Sequence, residues 1–100
     1  MTRPQVFDLI EGERAYQDSR WNPATTTSDG NHSWEEWVMY IDHYVGLAKA
    51  TLSTKPKQVA DGEAAEIMRK IGALAVAAME NNGSVPRTVI PSAPKSLLQG

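Results

Sequence analysis

The sequence predicts an all-α domain of three main helices, in a helical bundle completed by oligomerisation. Three observations carry that expectation. Thr2-x-x-Gln5 and Ser33-x-x-Glu36 are capping boxes: a hydroxyl accepts from the amide three residues on, and the later side chain reaches back. The apolar residues that follow recur at the helical period of about 100° per residue. Between the periodic stretches fall helix breakers: Asn22-Pro23, Lys55-Pro56 and Asn81-Asn82-Gly83.

The first helix is expected over about 3–19, with Pro4 in its first turn. Val6, Phe7, Leu9 and Ile10 give it an apolar face. Beyond Ile10 the same face turns polar, through Glu13, Gln17 and Arg20, with Tyr16 and Trp21 on its flanks. A polar stripe that extends a core stripe borders a cleft or a subunit contact, or else the helix end emerges into solvent. Conflicts of pattern tend to fall at functional sites. Residues 22–32 read as a loop, a linker or a lid over the second half of this helix.

The second helix is expected over 33–53. Trp34, Trp37, Val38, Ile41, Tyr44, Val45, Ala48 and Leu52 fall on one arc and face a core. Glu35 and Asp42, seven apart, stack beside that stripe, while His43 points the other way. The third helix is expected over 57–81. Its start admits two readings: Thr54 caps it with Pro56 in the first turn, or Asp61 caps it and it begins at Gly62. Ala60, Ala64, Ile67, Ile71, Leu74 and Ala78 form its main stripe. From Ile71 to Met79 it is apolar on every side, Val76 included, which implies burial on two sides. In a chain of 100 residues that predicts a homo-oligomer, dimer or higher, through this helix, with Gly72, Ala73, Ala75, Ala77 and Ala78 allowing close approach. Residues 1–87 read as a single helical domain, and 88–100 as an extended or partly disordered tail.

Composition narrows the function classes. Hydrophobic residues make up 41% and charged ones 22%, as in a globular chain. A net charge of −2 gives no basic field for duplex nucleic acid. The absence of cysteine excludes disulfides and thiolate metal sites and fits a reducing compartment. No apolar leader and no run of about 18 apolar residues occurs, so no membrane partner and a cytoplasmic location are expected.

Two constellations could carry chemistry. The carboxylates Glu35, Asp42, Glu63 and Glu66 are hard oxygen ligands of the kind that select Mg²⁺ or Mn²⁺. Antiparallel packing of the second and third helices would keep Glu35 far from Glu63, so a joint site needs another arrangement or a partner subunit. Glu66 and Lys70 also stand at ion-pair spacing on the helix. The bases Arg14, Arg20, Arg69, Lys70 and Arg87 can hold phosphates while Tyr16 or Trp21 stacks on a nucleobase, or they form a solvated face. No glycine-rich phosphate loop or nucleophile elbow is present.

Four segments carry a resemblance: Glu-Arg-x-Tyr-Gln-x-x-Arg-Trp from Glu13 to Trp21, His-Ser-x-x-Glu-x-x-x-Tyr-Ile from His32 to Ile41, Ile-x-Arg-Lys-Ile-x-Ala-Leu-x-Val-Ala from Ile67 to Ala77, and Gly-x-x-x-Arg from Gly83 to Arg87. Their order resembles small phage and prophage proteins related to the MazG-like, all-α nucleoside triphosphate pyrophosphohydrolases. That superfamily binds Mg²⁺ through Glu-Glu-x-x-Glu on one helix and Glu-x-x-Asp on the next. Here Glu35 and Glu36 match the first pair with Met39 in third place, and Glu63-x-x-Glu66 matches the second with Glu for Asp. The resemblance implies a nucleotide ligand, held by Glu13, Tyr16, Gln17, Arg20, Trp21, Arg69, Lys70 and Arg87. As an enzyme, the chain would hold Mg²⁺ on Glu35, Asp42, Glu63 and Glu66, and a metal-bound water would release pyrophosphate. Alternatively it is a cofactor-free sponge that sequesters (cyclic) nucleotide immune signals in the host cytoplasm, or a structural or host-protein interaction module.

Overall fold

The computed structural model describes residues 1–21 and 32–87. The loop expected over 22–32, except His32, and the tail expected over 88–100 lie outside the described residues. Three helices form: α1 (Arg3–Arg20), α2 (Trp34–Thr54) and α3 (Lys57–Asn82). Among the described residues there is no strand. Each expected helix is present, with its bounds within one residue of the expectation.

Both capping boxes close. The Thr2 amide donates to Gln5 Oε1 at 2.7 Å, and the Ser33 amide donates to Glu36 Oε1 at 3.0 Å. The start of α3 follows neither reading of its cap. Pro56 occupies the cap position without a side-chain bond. The Thr54 hydroxyl instead donates to the Ala50 carbonyl, 2.7 Å away, inside α2. Asp61 lies within α3, bonded to Lys57 at 2.9 Å. The proline explains the corner. Its ring forces Lys55 into extended backbone, φ −109° and ψ 156°, which ends α2 and leaves α3 to start at once. The far end of α3 stops at Gly83, whose φ of 82° suits glycine and whose amide donates to the Met79 carbonyl at 2.8 Å.

α3 is the central element, and both other helices pack on it while making no helix–helix packing with each other. α2 runs antiparallel to α3. At one end the Trp37 indole N–H donates to Asn81 Oδ1 at 3.1 Å; at the other, Lys55 meets Glu63 at 2.8 Å. α1 lies across α3 rather than along it. Its adjacent residues Glu13 and Arg14 pair with Arg69 and Glu80, positions about 16 Å apart on the α3 axis. The Ile10 side chain packs tightly over Gly72, where a Cβ would stand 3.1 Å from Ile10 Cδ1.

The core sits where the three elements meet. Trp37, 1% exposed, packs with Leu74, Ala77 and Ala78, and half-buried Trp21, Ile41 and Tyr44 close around it. Along the apolar stretch of α3, Ala73, Leu74, Ala77 and Ala78 are buried, Ile71, Ala75 and Val76 are half-buried and Met79 is exposed. Further exposed apolar side chains lie on the other helices. On α1, Ile10 is half-buried but Val6, Phe7 and Leu9 are exposed, Phe7 by 60%. Trp34, Val38 and Leu52 at the margins of the α2 stripe are exposed as well. No described helix is long and apolar enough to cross a membrane.

Candidate functional site

The polar stripe of α1 faces a cavity of about 570 Å³. Glu13, Gln17 and Arg20 succeed one another at spacings of four and three, so one helix face carries all of them, with Tyr16 and Trp21 beside them. This is the cleft alternative of the sequence reading. From α2 and the residue two before it come Tyr40, His43, Tyr44 and His32; from α3 come Lys70 and Leu74. Of the residues expected to hold a nucleotide, Glu13, Tyr16, Gln17, Arg20, Trp21 and Lys70 line this space. Arg69 is bonded to the lining residue Glu13. Arg87 does not line it, lying exposed beyond the end of α3.

The wall toward the core is aromatic. His32 meets Trp37 edge-on at 5.0 Å and Tyr40 at 5.2 Å between ring centroids, and Trp37 meets Tyr40 at 5.9 Å. Trp21 tilts against Trp37 at 5.9 Å. Edge-on contacts of this kind bring the positive rim of one ring to the negative face of the next. The end of α3 holds His32 in place. Asn81 Oδ1 accepts from the His32 amide and from the Trp37 indole, both at 3.1 Å, while Asn82 Nδ2 donates to the His32 carbonyl at 3.2 Å. Sequence reasoning read Asn81-Asn82-Gly83 as a helix stop and gave His32 no role. His43, expected to point away from the core stripe, is exposed, and it lines the cavity with Tyr44, their ring centroids 5.4 Å apart. The available signal was the spacing of Tyr40 and Tyr44, one helical turn apart.

The polar groups of the wall are fixed by ion pairs. Glu13, its side chain 9% exposed, accepts from Arg69 Nε at 2.9 Å through Oε1. Gln17 is 7% exposed, and its Oε1 accepts from Arg14 Nη1 at 3.3 Å. Arg14 also pairs with Asp18 and Glu80, each at 2.8 Å. Burial works against its charge, but the bonds to Glu80 and Asp18 outweigh it and leave its pKa above the ordinary value. Arg14 is therefore engaged by carboxylates and does not line the cavity. The Lys70 ammonium stands 5.9 Å from the centroid of the Tyr44 ring, a cation–π approach. Among the described residues no Glu66–Lys70 ion pair forms.

The four expected metal ligands are not brought together. Glu35 is exposed in the first turn of α2, Asp42 is exposed two turns later, Glu66 is exposed on α3, and Glu63 pairs with Lys55. Antiparallel packing sets the start of α2 against the end of α3, while Glu63 and Glu66 belong to its first half. Among the described residues, no group of three or more histidines and carboxylates could hold a metal ion. Among the described residues of one chain, Glu35, Asp42, Glu63 and Glu66 thus form no such group.

Comparison with known proteins returns nothing similar to this chain: no family model, no curated protein and no solved structure matches it.

Proposed function

We propose that this protein binds a nucleotide in the α1–α2–α3 cavity and releases it unchanged. The observation that supports this most is the composition of the wall. Stackable rings and the two cations Arg20 and Lys70 border one space, whose volume lies in the range of about 300–1,000 Å³ usual for small-molecule sites. Tyr16 or Trp21 stacks on the base, and Arg20 and Lys70 hold the phosphates, the guanidinium being suited to planar, two-point contacts with phosphate oxygens. Sequestration of a (cyclic) nucleotide signal is the role that fits a binding site where no group of metal ligands gathers among the described residues. The pyrophosphohydrolase alternative requires Glu35, Asp42, Glu63 and Glu66 to be joined across subunits. Exposed Phe7, Val38 and Met68 are apolar surface that a homo-oligomer would cover.

The test is incubation of the full chain with nucleoside triphosphates and cyclic dinucleotides, with and without Mg²⁺, followed by heat denaturation and chromatography. Intact nucleotide released by denaturation supports the proposal. Pyrophosphate release that vanishes in Glu35→Ala supports the enzyme instead, and no bound nucleotide leaves the interaction module.

A further inference from the structure

The cavity wall carries a polar pair that phosphate binding leaves unexplained. Glu13 and Gln17 stand one helical turn apart on α1 and both line the space. Arg69 takes Glu13 Oε1, and Arg14 takes Gln17 Oε1. The carboxylate's second oxygen and the amide nitrogen are the remaining polar atoms. No fully buried polar side-chain atom lacks a partner among the described residues, and neither of these two atoms has a hydrogen-bond partner there, so neither is fully buried, and both belong to residues that line the space. One is an acceptor only; the other, once Oε1 is committed to Arg14, is a donor only.

We infer that Glu13 and Gln17 read the hydrogen-bonding edge of the ligand's base, Glu13 accepting from a base N–H and Gln17 donating to the adjacent ring nitrogen or carbonyl. This rests on the nucleotide reading and assigns the ligand its orientation. A phosphate is disfavoured at this end, because the second Glu13 oxygen can only accept and offers it no donor. Arg20 lies two turns further along the same face, about 10 Å from Glu13 along the helix axis, and takes the anionic end. A nucleobase edge presents a donor beside an acceptor, which is the complement of this pair. The Arg69 and Arg14 bonds hold both side chains in the reading position, so little ordering is needed when the ligand arrives.

The experiment is calorimetric titration of the full chain with guanosine and adenosine monophosphates and cyclic dinucleotides. Each is paired with an analogue whose base N–H on that edge is replaced by N-methyl. The wild-type protein should bind the analogue about ten- to a hundredfold more weakly, as loss of a hydrogen bond to a charged group implies. Glu13→Gln should bind the parent more weakly and no longer separate parent from analogue. Equal wild-type affinity for parent and methylated analogue overturns the inference and leaves nucleotide binding standing. No binding of any parent nucleotide overturns the nucleotide reading, and the base assignment with it. The analogue comparison uses wild-type protein, so it decides the matter even if Glu13→Gln does not fold.

Discussion

Replacing Asn81 by alanine tests how the end of α3 supports the pocket. The Asn81 side-chain oxygen accepts from the Trp37 indole and from the His32 amide, both at 3.1 Å. A typical intramolecular hydrogen bond contributes about 0.5–1.5 kcal/mol net, and a buried donor left unpaired costs about 1–3 kcal/mol. The two donors differ in what replaces the lost bond. Trp37 is 1% exposed, so water does not readily reach its indole nitrogen. His32 is half-buried, and water can reach its amide. The indole therefore sets the magnitude, and Asn81→Ala should destabilise by about 2–3 kcal/mol. Small domains are stable by about 5–15 kcal/mol, so the loss is large but leaves the protein folded. The assay is urea unfolding of wild type, Asn81→Ala, Trp37→Phe and the double variant. In the Trp37→Phe background the indole donor is gone, and Asn81→Ala should cost about 1 kcal/mol less than in wild type. An equal cost in both backgrounds would refute the claim that Asn81 acts through Trp37.

The remaining predictions are narrower. Gly46 and Gly62 lie in helices, with nothing within 4 Å of where a Cβ would stand; alanine at either should stabilise by about 0.5–1 kcal/mol, read as a higher urea midpoint. Gly72→Leu should destabilise by about 1–3 kcal/mol, because it overpacks the crossing with Ile10; an unchanged midpoint would show that α1 does not cross there. Arg69→Ala leaves the largely buried Glu13 carboxylate without its partner and should cost about 1–3 kcal/mol, with the loss recovered in part by adding Glu13→Gln. The Ser33 amide and hydroxyl, and then His32, hold the Glu36 carboxyl below its ordinary pKa. Its contribution is complete above the unfolded pKa and is lost as pH falls through the lower folded value. Urea midpoints should therefore fall in that acid window for wild type and fall less for Glu36→Gln.

The helices were legible because their signals are local. Thr2-x-x-Gln5 and Ser33-x-x-Glu36 need only four residues each, and both boxes form. The stripe of Glu13, Gln17 and Arg20 was legible as a cleft border because it breaks a periodic pattern. The cap of the third helix was not, since Pro56 acts by its fixed backbone and leaves no polar side chain to recognise. Nor was the aromatic wall, which depends on Asn81 reaching His32 and Trp37 across 49 and 44 residues of sequence. Periodicity reports which face of a helix is buried, not which distant side chain covers it. The same limit explains α1: Val6, Phe7 and Leu9 form an apolar face in sequence, yet the tilt of α1 across α3 leaves them exposed.

The cavity beside Arg20 and Lys70 is proposed to bind a nucleotide without cleaving it. The most direct measurement incubates the full chain with a nucleotide panel and Mg²⁺, removes free ligand, denatures the protein and identifies what is released. One intact nucleotide in stoichiometric yield is expected, and its loss when both Arg20 and Lys70 are replaced by alanine. A monophosphate with pyrophosphate in its place, or no nucleotide at all, would contradict it.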